Sequence, residues 1–578
     1  MNLFILYLRL IVQNTHLATL LAIAATLSSC SSGNEPKKSE IPQKWYRNSI
    51  IYNLDVDTYQ DGDGDGVGDF KGLIERLPYL SSLGVDVVWL SPFQPSPNMD
   101  DGYDITDFYG IDPRLGNMKD FEAFMAAAKS HGIKIVMDMV LNHTSIEHAW
   151  FKRAREDSTL TSRSRYVWSN SKPKDFDKGM VFPGIQTETW TYDEISKKFY
   201  FHRFYDFQPD LNYQNKEVQH EAAKILKFWI GKGINGFRLD AVPFIIDIPE
   251  SGTKDPKLMF NVLDSLVHAT KTIDKEFLLL GEANVAPKEN IEYFGKEGER
   301  LSMMFNFYVN QYLFYSLAKE DPTLFVKAIE ETRAKPVDAQ WAFFLRNHDE
   351  IDLARLSKNQ RKKVFDAFGP ETNMQLYDRG IRRRLATMLD NPEQLKMAYS
   401  LLYSLPRTPV IRSGEEIGMG DDLTLRERLA VRTPMQWNAS KNAGFSTAEK
   451  TIRPVISQGK FSYKHINVAA QLSSSVSLLQ YIRKLIHLRK KCPEIGQTNW
   501  QFAKASMDDV VVLSYPSKKG NLIILHNFSS CPKEVDVDLP SGTVDLLTRS
   551  TSVKSGKVRL KGFGTAWLRD QPAAQTIH

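Results

Sequence analysis

Short apolar runs rich in Val, Ile, Leu and Phe recur along much of the chain. They read "IIYNLDV" from 50, "VDVVWL" from 85, "IKIVMDM" from 133, "GFRLDAV" from 236, "FLLLGEA" from 277, "SMMFNF" from 302, "WAFFLRN" from 341 and "TPVIRSG" from 408. Between most of them lie stretches such as "MKDFEAFMAAAKSHG" and "NKEVQHEAAKILKFWIGKG", whose apolar spacing of three and four predicts helices. Strands alternating with helices predict parallel βα units, and eight of them predict an α/β fold of the (β/α)8 TIM-barrel type.

Two segments break the alternation. From about 143 to 217 the chain is rich in aromatics, Ser, Lys and Asp and too long for one helix, so it reads as a subdomain inserted after strand three. After "SVSLLQYIRKLIHLRKKC" the pattern changes to short alternating runs, "VVVLSYP", "NLIILHNF", "EVDVDL" and "GTAWL", which predict a C-terminal antiparallel β domain. The expected organisation is a barrel over 45–143 and 217–495, an inserted subdomain over 144–216 and a β domain over 496–570.

Polar residues then fall where the strand assignment does not require them. Within "GFRLDAV", Arg238 and Asp240 share one face of a strand while Phe237, Leu239 and Ala241 share the other. Alone, such a pair is an ordinary structural ion pair. Asp138 and His143 follow strand three, Glu282 ends strand five, and His348 and Asp349 follow strand seven. All collect at the carboxyl ends of the strands, where barrel enzymes place their chemistry, and unpaired buried carboxylates are too costly to be packing.

Composition narrows the classes. The 578 residues are 42% hydrophobic and 25% charged, with 74 basic and 69 acidic residues; no basic block with interleaved aromatics suggests a nucleic-acid partner. The run "LATLLAIAATLSSC", residues 17 to 30, resembles a bacterial lipoprotein signal, with Leu27-Ser28-Ser29-Cys30 as lipobox. On that reading residues 1–30 are a signal peptide, Cys30 is lipidated, 31–44 form a tether, and the protein is lipid-anchored in the bacterial cell envelope, periplasmic or at the surface. Only Cys492 and Cys531 remain, so no disulfide framework is suggested.

Several carboxylates around one cleft, without a thiol nucleophile or a phosphate-cradling Gly-rich loop, fit cleavage of a glycosidic bond. Arg238 beside Asp240 favours an ionised carboxylate, as a nucleophile needs, and the apolar setting of Glu282 favours a protonated acid.

The motifs "DMVLNH" (138 to 143), "GFRLDAV" (236 to 242), "LLGEAN" (279 to 284) and "FLRNHDE" (344 to 350), in that order, resemble the four signature regions of the α-amylase family of glycoside hydrolases. "DDGYDITDFYGIDPRLG", "HRFYDFQPDLNYQN" and "VRTPMQWN" narrow the resemblance to the group holding trehalose synthases and oligosaccharide α-glucosidases. By motif position it implies Asp240 as nucleophile, Glu282 as general acid/base and Asp349 as the third carboxylate. It implies Asp100, Tyr103, His143, Arg238, His348 and Arg432 around the nonreducing glucose, a surface salt bridge being the alternative for Arg432. The expected partner is an α-glucan or malto-oligosaccharide, and the expected activity is retaining hydrolysis of α-glucosidic bonds. The alternatives are isomerisation of maltose to trehalose and a non-catalytic carbohydrate-binding barrel.

The repeat "DGDGDGVGD" places Asp61, Asp63, Asp65 and Asp69 around glycines, a spacing of oxygen donors that suits a hard cation. The resemblance implies structural Ca²⁺ there, with the Val67 carbonyl, and a second Ca²⁺ site from Asn142 and Asp210 with Asp247 nearby. "RSGEEIG" (412 to 418) and "FIIDIP" (244 to 249) depart from the trehalose synthase pattern. Both are expected near the rim, where they bear on how tightly the pocket closes.

Overall fold

The computed structural model describes residues 44–157, 159–247, 259–496, 499–517, 520–550 and 553–570. Eight parallel strands close into a barrel: Ile51–Leu54, Val87–Leu90, Lys134–Met139, Gly236–Leu239, Leu278–Gly281, Met303–Phe305, Gln340–Phe344 and Thr408–Arg412. Closure is set by the first strand, where Ile51 is in register with Val87 on one side and Val410 on the other.

Alternation along each strand divides the apolar residues into two sets. Ile51, Val87, Trp89, Val136, Leu278, Leu280, Met303 and Phe344 pack together inside the barrel. Tyr52, Val88, Ile135, Phe237, Leu279 and Ile411 face the surrounding helices, as a closed sheet with a filled interior requires. The helices begin at polar caps that satisfy otherwise unpaired N–H groups: Asp69 caps Phe70–Leu83, Asn117 and Asp120 form a capping box on Met118–Ser130, and Asn391 caps Pro392–Ser404.

Following the inward register toward the carboxyl ends, the apolar filling gives way to Asp138 on the third strand, Arg238 on the fourth with Asp240 just beyond its end, and Glu282 after the fifth. Arg238 and Asp240 therefore share a face because that face is the mouth of the barrel.

Between the third and fourth strands the chain builds a three-stranded antiparallel sheet from Trp168–Ser169, Lys198–Phe201 and Trp190–Asp193. Beyond the helix Leu478–Lys491, a four-stranded antiparallel sheet (Gln501–Phe502, Val510–Tyr515, Leu522–Asn527, Thr565–Arg569) packs with a three-stranded one over Val510, Leu525, Val535 and Val558. It is fastened to the barrel by Trp567, whose Nε1 donates to Ser400 Oγ at 2.9 Å. Cys492 is buried, Cys531 is exposed, and both are free thiols. The sequence pattern gave no sign of the small sheet Ile351–Asp352, Gln375–Leu376 and Gly380–Ile381, which follows the seventh strand; its strands are two residues long, below the length at which alternation is legible.

"RSGEE" lies in the interior, not at the rim. Arg412 is buried in the eighth strand and donates to Asp55 Oδ1 at 3.2 Å and to Asn53 Oδ1 at 3.1 Å. Glu415 pairs with Arg384, and Glu416 accepts from the hydroxyls of Tyr52 and Tyr79. Burial works against ionisation of Asp55, but Arg412 and Arg432 outweigh it and hold the carboxyl well below the usual range. Removing one partner of a buried pair strands the other charge. Asp55→Ala is therefore expected to lower the free energy of unfolding by about 3–5 kcal/mol, measured by chemical denaturation at neutral pH. Because the folded-state pKa is depressed, this contribution is present above the unfolded carboxylate range and is lost as the pH falls below about 4, so the variant should show the smaller acid dependence.

Candidate active site

Arg238 is the centre of the barrel mouth. Its side chain is 1% exposed and stands 5.4 Å above the Trp89 ring. Nη1 donates to Asp138 Oδ1 at 2.8 Å and to Asp240 Oδ1 at 2.5 Å, and Nη2 lies 2.8 Å from Glu282 Oε2. Glu282 Oε2 also accepts from the Ala241 N–H at 3.0 Å, which points at it because Ala241 adopts a left-handed conformation, φ 50°.

One cation facing three acids cannot hold all of them ionised. Burial raises Asp240 to about 6, with Arg238 opposing and Asp138 reinforcing. Glu282 is raised further, to about 8, by desolvation and by the charges of Asp240 and Asp349 against the pull of Arg238. The pair thus separates into a carboxylate that ionises first and an acid that keeps its proton.

The opposite wall is built on Asp349. His348 Nε2 lies 3.0 Å from Asp349 Oδ2 and 2.6 Å from the Tyr103 hydroxyl, which donates to Asp138 Oδ2 at 2.9 Å. The Tyr103 and His348 rings stack 5.6 Å apart and 8° from parallel. Burial opposes ionisation of Asp349, yet His348, Arg428 and Arg432 hold it well below the usual carboxylate range. His348 itself is lowered to about 4 by burial, so the imidazole is neutral at pH 7. It serves Asp349 as a hydrogen-bond donor while the arginines supply the charge. His143 is likewise lowered to about 4 by burial, with Nε2 3.1 Å from the Tyr103 carbonyl.

These residues enclose a cavity of about 590 Å³, within the size range of small-ligand sites. Asp100, Tyr103, His143, Asp240, Glu282 and Asp349 line it directly, and Phe182 and Phe204 of the inserted segment cover it together with Pro243 and Phe244. Arg238, His348 and Arg432, expected around the sugar, lie beneath this lining and orient it. Arg432 is no surface salt bridge. It is 2% exposed and donates to the His348 carbonyl at 2.9 Å, Asp101 Oδ2 at 2.7 Å and Asp349 Oδ1 at 2.9 Å.

Sequence reasoning missed Arg428, which lines the cavity and bridges its wall, reaching Asp349 Oδ1 at 3.1 Å and Asp100 Oδ1 at 2.5 Å. The only signal was its place in "RERLAVRTPMQWN", four residues before Arg432.

The acidic loop divides. Carboxylate oxygens of Asp61, Asp63 and Asp65 converge within 4.8 Å of one another. No ion pair neutralises the three among the described residues, so the donor set fits a hard cation. Asp69 stands at the helix cap, with Oδ1 accepting from Gly72 N–H and Oδ2 from the N–H groups of Gly62 and Asp63. At the second position, Asn142 donates to Asp210 Oδ2 at 3.1 Å, the Arg203 backbone N–H donates to Asp210 Oδ1 at 2.9 Å, and its guanidinium donates to Asp247 at 3.3 Å. The Arg203 guanidinium thus already pairs with Asp247, while Asp210 is held by the Arg203 backbone N–H and by Asn142.

The sequence profile described as alpha amylase, catalytic domain, matches residues 54–375 and 378–498. The chain is 37% identical over 545 residues to a trehalose synthase/amylase of Mycobacterium tuberculosis (strain ATCC 25618 / H37Rv), covering 91% of this chain and 90% of that protein. It is 31% identical over 554 residues to an oligo-1,6-glucosidase of Parageobacillus thermoglucosidasius, covering 84% and 90%. Its fold matches that of a solved alpha-glucosyl transfer enzyme, XgtA, with a TM-score of 0.74 at 25% identity, covering 92% of this chain and all of the other. The chain belongs to the α-amylase family and is an α-glucosidase-like enzyme of that family, a glycoside hydrolase or transglucosylase.

Proposed function

We propose that the protein cleaves α-glucosidic bonds of neutral glucosides and malto-oligosaccharides with retention of configuration. Asp240 is the nucleophile, Glu282 the general acid/base and Asp349 the carboxylate that fixes sugar hydroxyls. The observation that carries this is the placement of Asp240 and Glu282 on one guanidinium, Asp240 Oδ1 2.5 Å from Arg238 Nη1 and Glu282 Oε2 2.8 Å from Arg238 Nη2. Two carboxyl groups gathered on a single guanidinium suit the short spacing of a retaining enzyme better than the wider spacing that admits an intervening water.

In the first step an Asp240 oxygen bonds to the anomeric carbon as the bond to the leaving sugar breaks, and Glu282 gives its proton to the departing oxygen. In the second step a hydroxyl attacks that carbon, Glu282 takes its proton, and the bond to Asp240 breaks. Water as the attacking species gives hydrolysis. A second reading, in which released glucose is the acceptor and maltose becomes trehalose, is supported by the higher identity to a trehalose synthase/amylase than to an oligo-1,6-glucosidase, 37% against 31%. Burial of Arg412, Glu415 and Glu416 away from the cavity also removes one argument for an unsealed pocket. We propose further that Asp61, Asp63 and Asp65 with the Val67 carbonyl hold structural Ca²⁺, with Asp69 holding the loop from the helix cap, and that lipidated Cys30, outside the described residues, anchors the protein in a bacterial cell envelope.

NMR of the products from maltose tests the reading: the α-anomer should appear first, with glucose exceeding trehalose, whereas initial β-product overturns retention and predominant trehalose selects the isomerase. Turnover requires Asp240 ionised and Glu282 protonated, so kcat/KM should rise through an apparent pKa near 6 and fall through one near 8. Asp240→Asn and Glu282→Gln should each lower kcat for maltose by at least about a thousandfold, about 4 kcal/mol, without loss of Tm. Chelation should lower Tm, as a cation bound only by the folded state stabilises it, and Asp63→Ala with Asp65→Ala should abolish that shift.

A further inference from the structure

One wall of the cavity has no part in the steps above. Asn284, two residues beyond Glu282, donates from Nδ2 to Asp352 Oδ2, and its Oδ1 accepts from Arg355 Nε at 2.8 Å. Arg379, in the turn between Gln375–Leu376 and Gly380–Ile381, has its Nε 3.2 Å from Asp352 Oδ1. Asn284, Asp352 and Arg355 are tied together by hydrogen bonds, and Arg379 stands within ion-pair distance of Asp352. Glu350 is the exception. Its side chain is 8% exposed and lines the cavity, its nearest cationic contact is Arg379 Nη2 at 3.9 Å, and its carboxylate accepts no hydrogen bond among the described residues.

A buried carboxylate without donors is costly and persists where something else supplies them. The position says what. A general acid protonates the oxygen that departs, so the leaving sugar sits on the Glu282 side of the scissile bond, and Asn284, Glu350, Asp352, Arg355 and Arg379 form the wall there. We propose that Glu350 is the specificity residue for the leaving and accepting sugar, its carboxylate taking hydrogen bonds from hydroxyls of an uncharged sugar ring. This rests on the reading of the preceding subsection and adds to it the residue that recognises the second ring. Burial raises the Glu350 carboxyl to about 7 against the pull of Arg428, so near neutral pH it is shared between an ionised form, whose bonds from hydroxyls are charge-assisted, and a protonated form that both accepts and donates.

The test compares maltose, whose leaving ring offers hydroxyls, with p-nitrophenyl α-glucoside, whose leaving group offers none. kcat/KM is measured for both in the wild type, Glu350→Gln, Glu350→Ala and Glu350→Asp. The ratio of maltose to aryl glucoside is expected to fall at least tenfold in the Gln and Ala variants and to recover partly in the Asp variant. Equal losses on both substrates, leaving the ratio unchanged, would mean that Glu350 acts on the fold alone and overturn the proposal. A wild type that cleaves neither substrate overturns the preceding reading and this proposal with it, whereas an active wild type with an unchanged ratio in the variants sinks only the role of Glu350.

Discussion

The site depends on a single buried cation. Arg238 must be charged, since a guanidinium does not give up its proton in a protein, and it is enclosed by the barrel with three carboxyl groups within bonding distance. Its positive charge is the reason Asp138, Asp240 and Glu282 can be gathered at one point, and its being only one charge is the reason they do not all ionise. The different proton affinities of Asp240 and Glu282 follow from that mismatch, so both are set by the same electrostatic shortage. Across the cavity the balance is reversed. Asp349 faces Arg428 and Arg432 together, and an excess of positive charge keeps it ionised, suited to accepting hydrogen bonds from hydroxyls.

Much of this is legible in the amino-acid sequence. The eight barrel strands were visible because a strand buried on both faces is apolar throughout, and a charged pair such as Arg238 and Asp240 stands out against that background. The order of Asp138, Asp240, Glu282 and Asp349 along the chain fixed their common face, since every parallel strand delivers its carboxyl end to the same rim. What the sequence could not convey is depth. Arg432 and His348 were expected against the sugar and lie behind the groups that line the cavity, because burial beyond the first layer depends on how neighbouring loops pack. For the same reason Arg412, Glu415 and Glu416 read as rim residues although each is buried and has its partners in the interior. Arg428 was overlooked because it sits on a short 3-10 turn, Glu427–Val431, where no periodicity marks which side chain points inward.

The inserted segment and the loops after the seventh and eighth strands share the task of covering the site. Phe182 lies under the Arg428 guanidinium at 5.1 Å, and Tyr205 and Tyr377 both donate to Glu427. The inserted segment is thereby joined to two barrel loops through one glutamate and one arginine. The apolar rings of Phe182 and Phe204 line the cavity beside the carboxylates, and the less polar surroundings they create strengthen the charge interactions there.

The acidic loop carries a consequence for the order in which the molecule can be assembled. Asp61 Oδ2 accepts from Ser446 Oγ at 2.6 Å, Gln60 Nε2 donates to the Phe445 carbonyl at 2.8 Å, and the Ile452 N–H donates to the Gly66 carbonyl at 2.8 Å. The first turn of the barrel is thus completed by chain that follows the eighth strand, some 385 residues later. On a ribosome, residues 61 to 69 emerge early and wait for most of the barrel to be synthesised before they reach their final partners. Contacts of such sequence separation form late and slowly. The loop beside the chain's beginning is therefore among the last parts of the barrel to be finished, and its completion reports that the ring has closed.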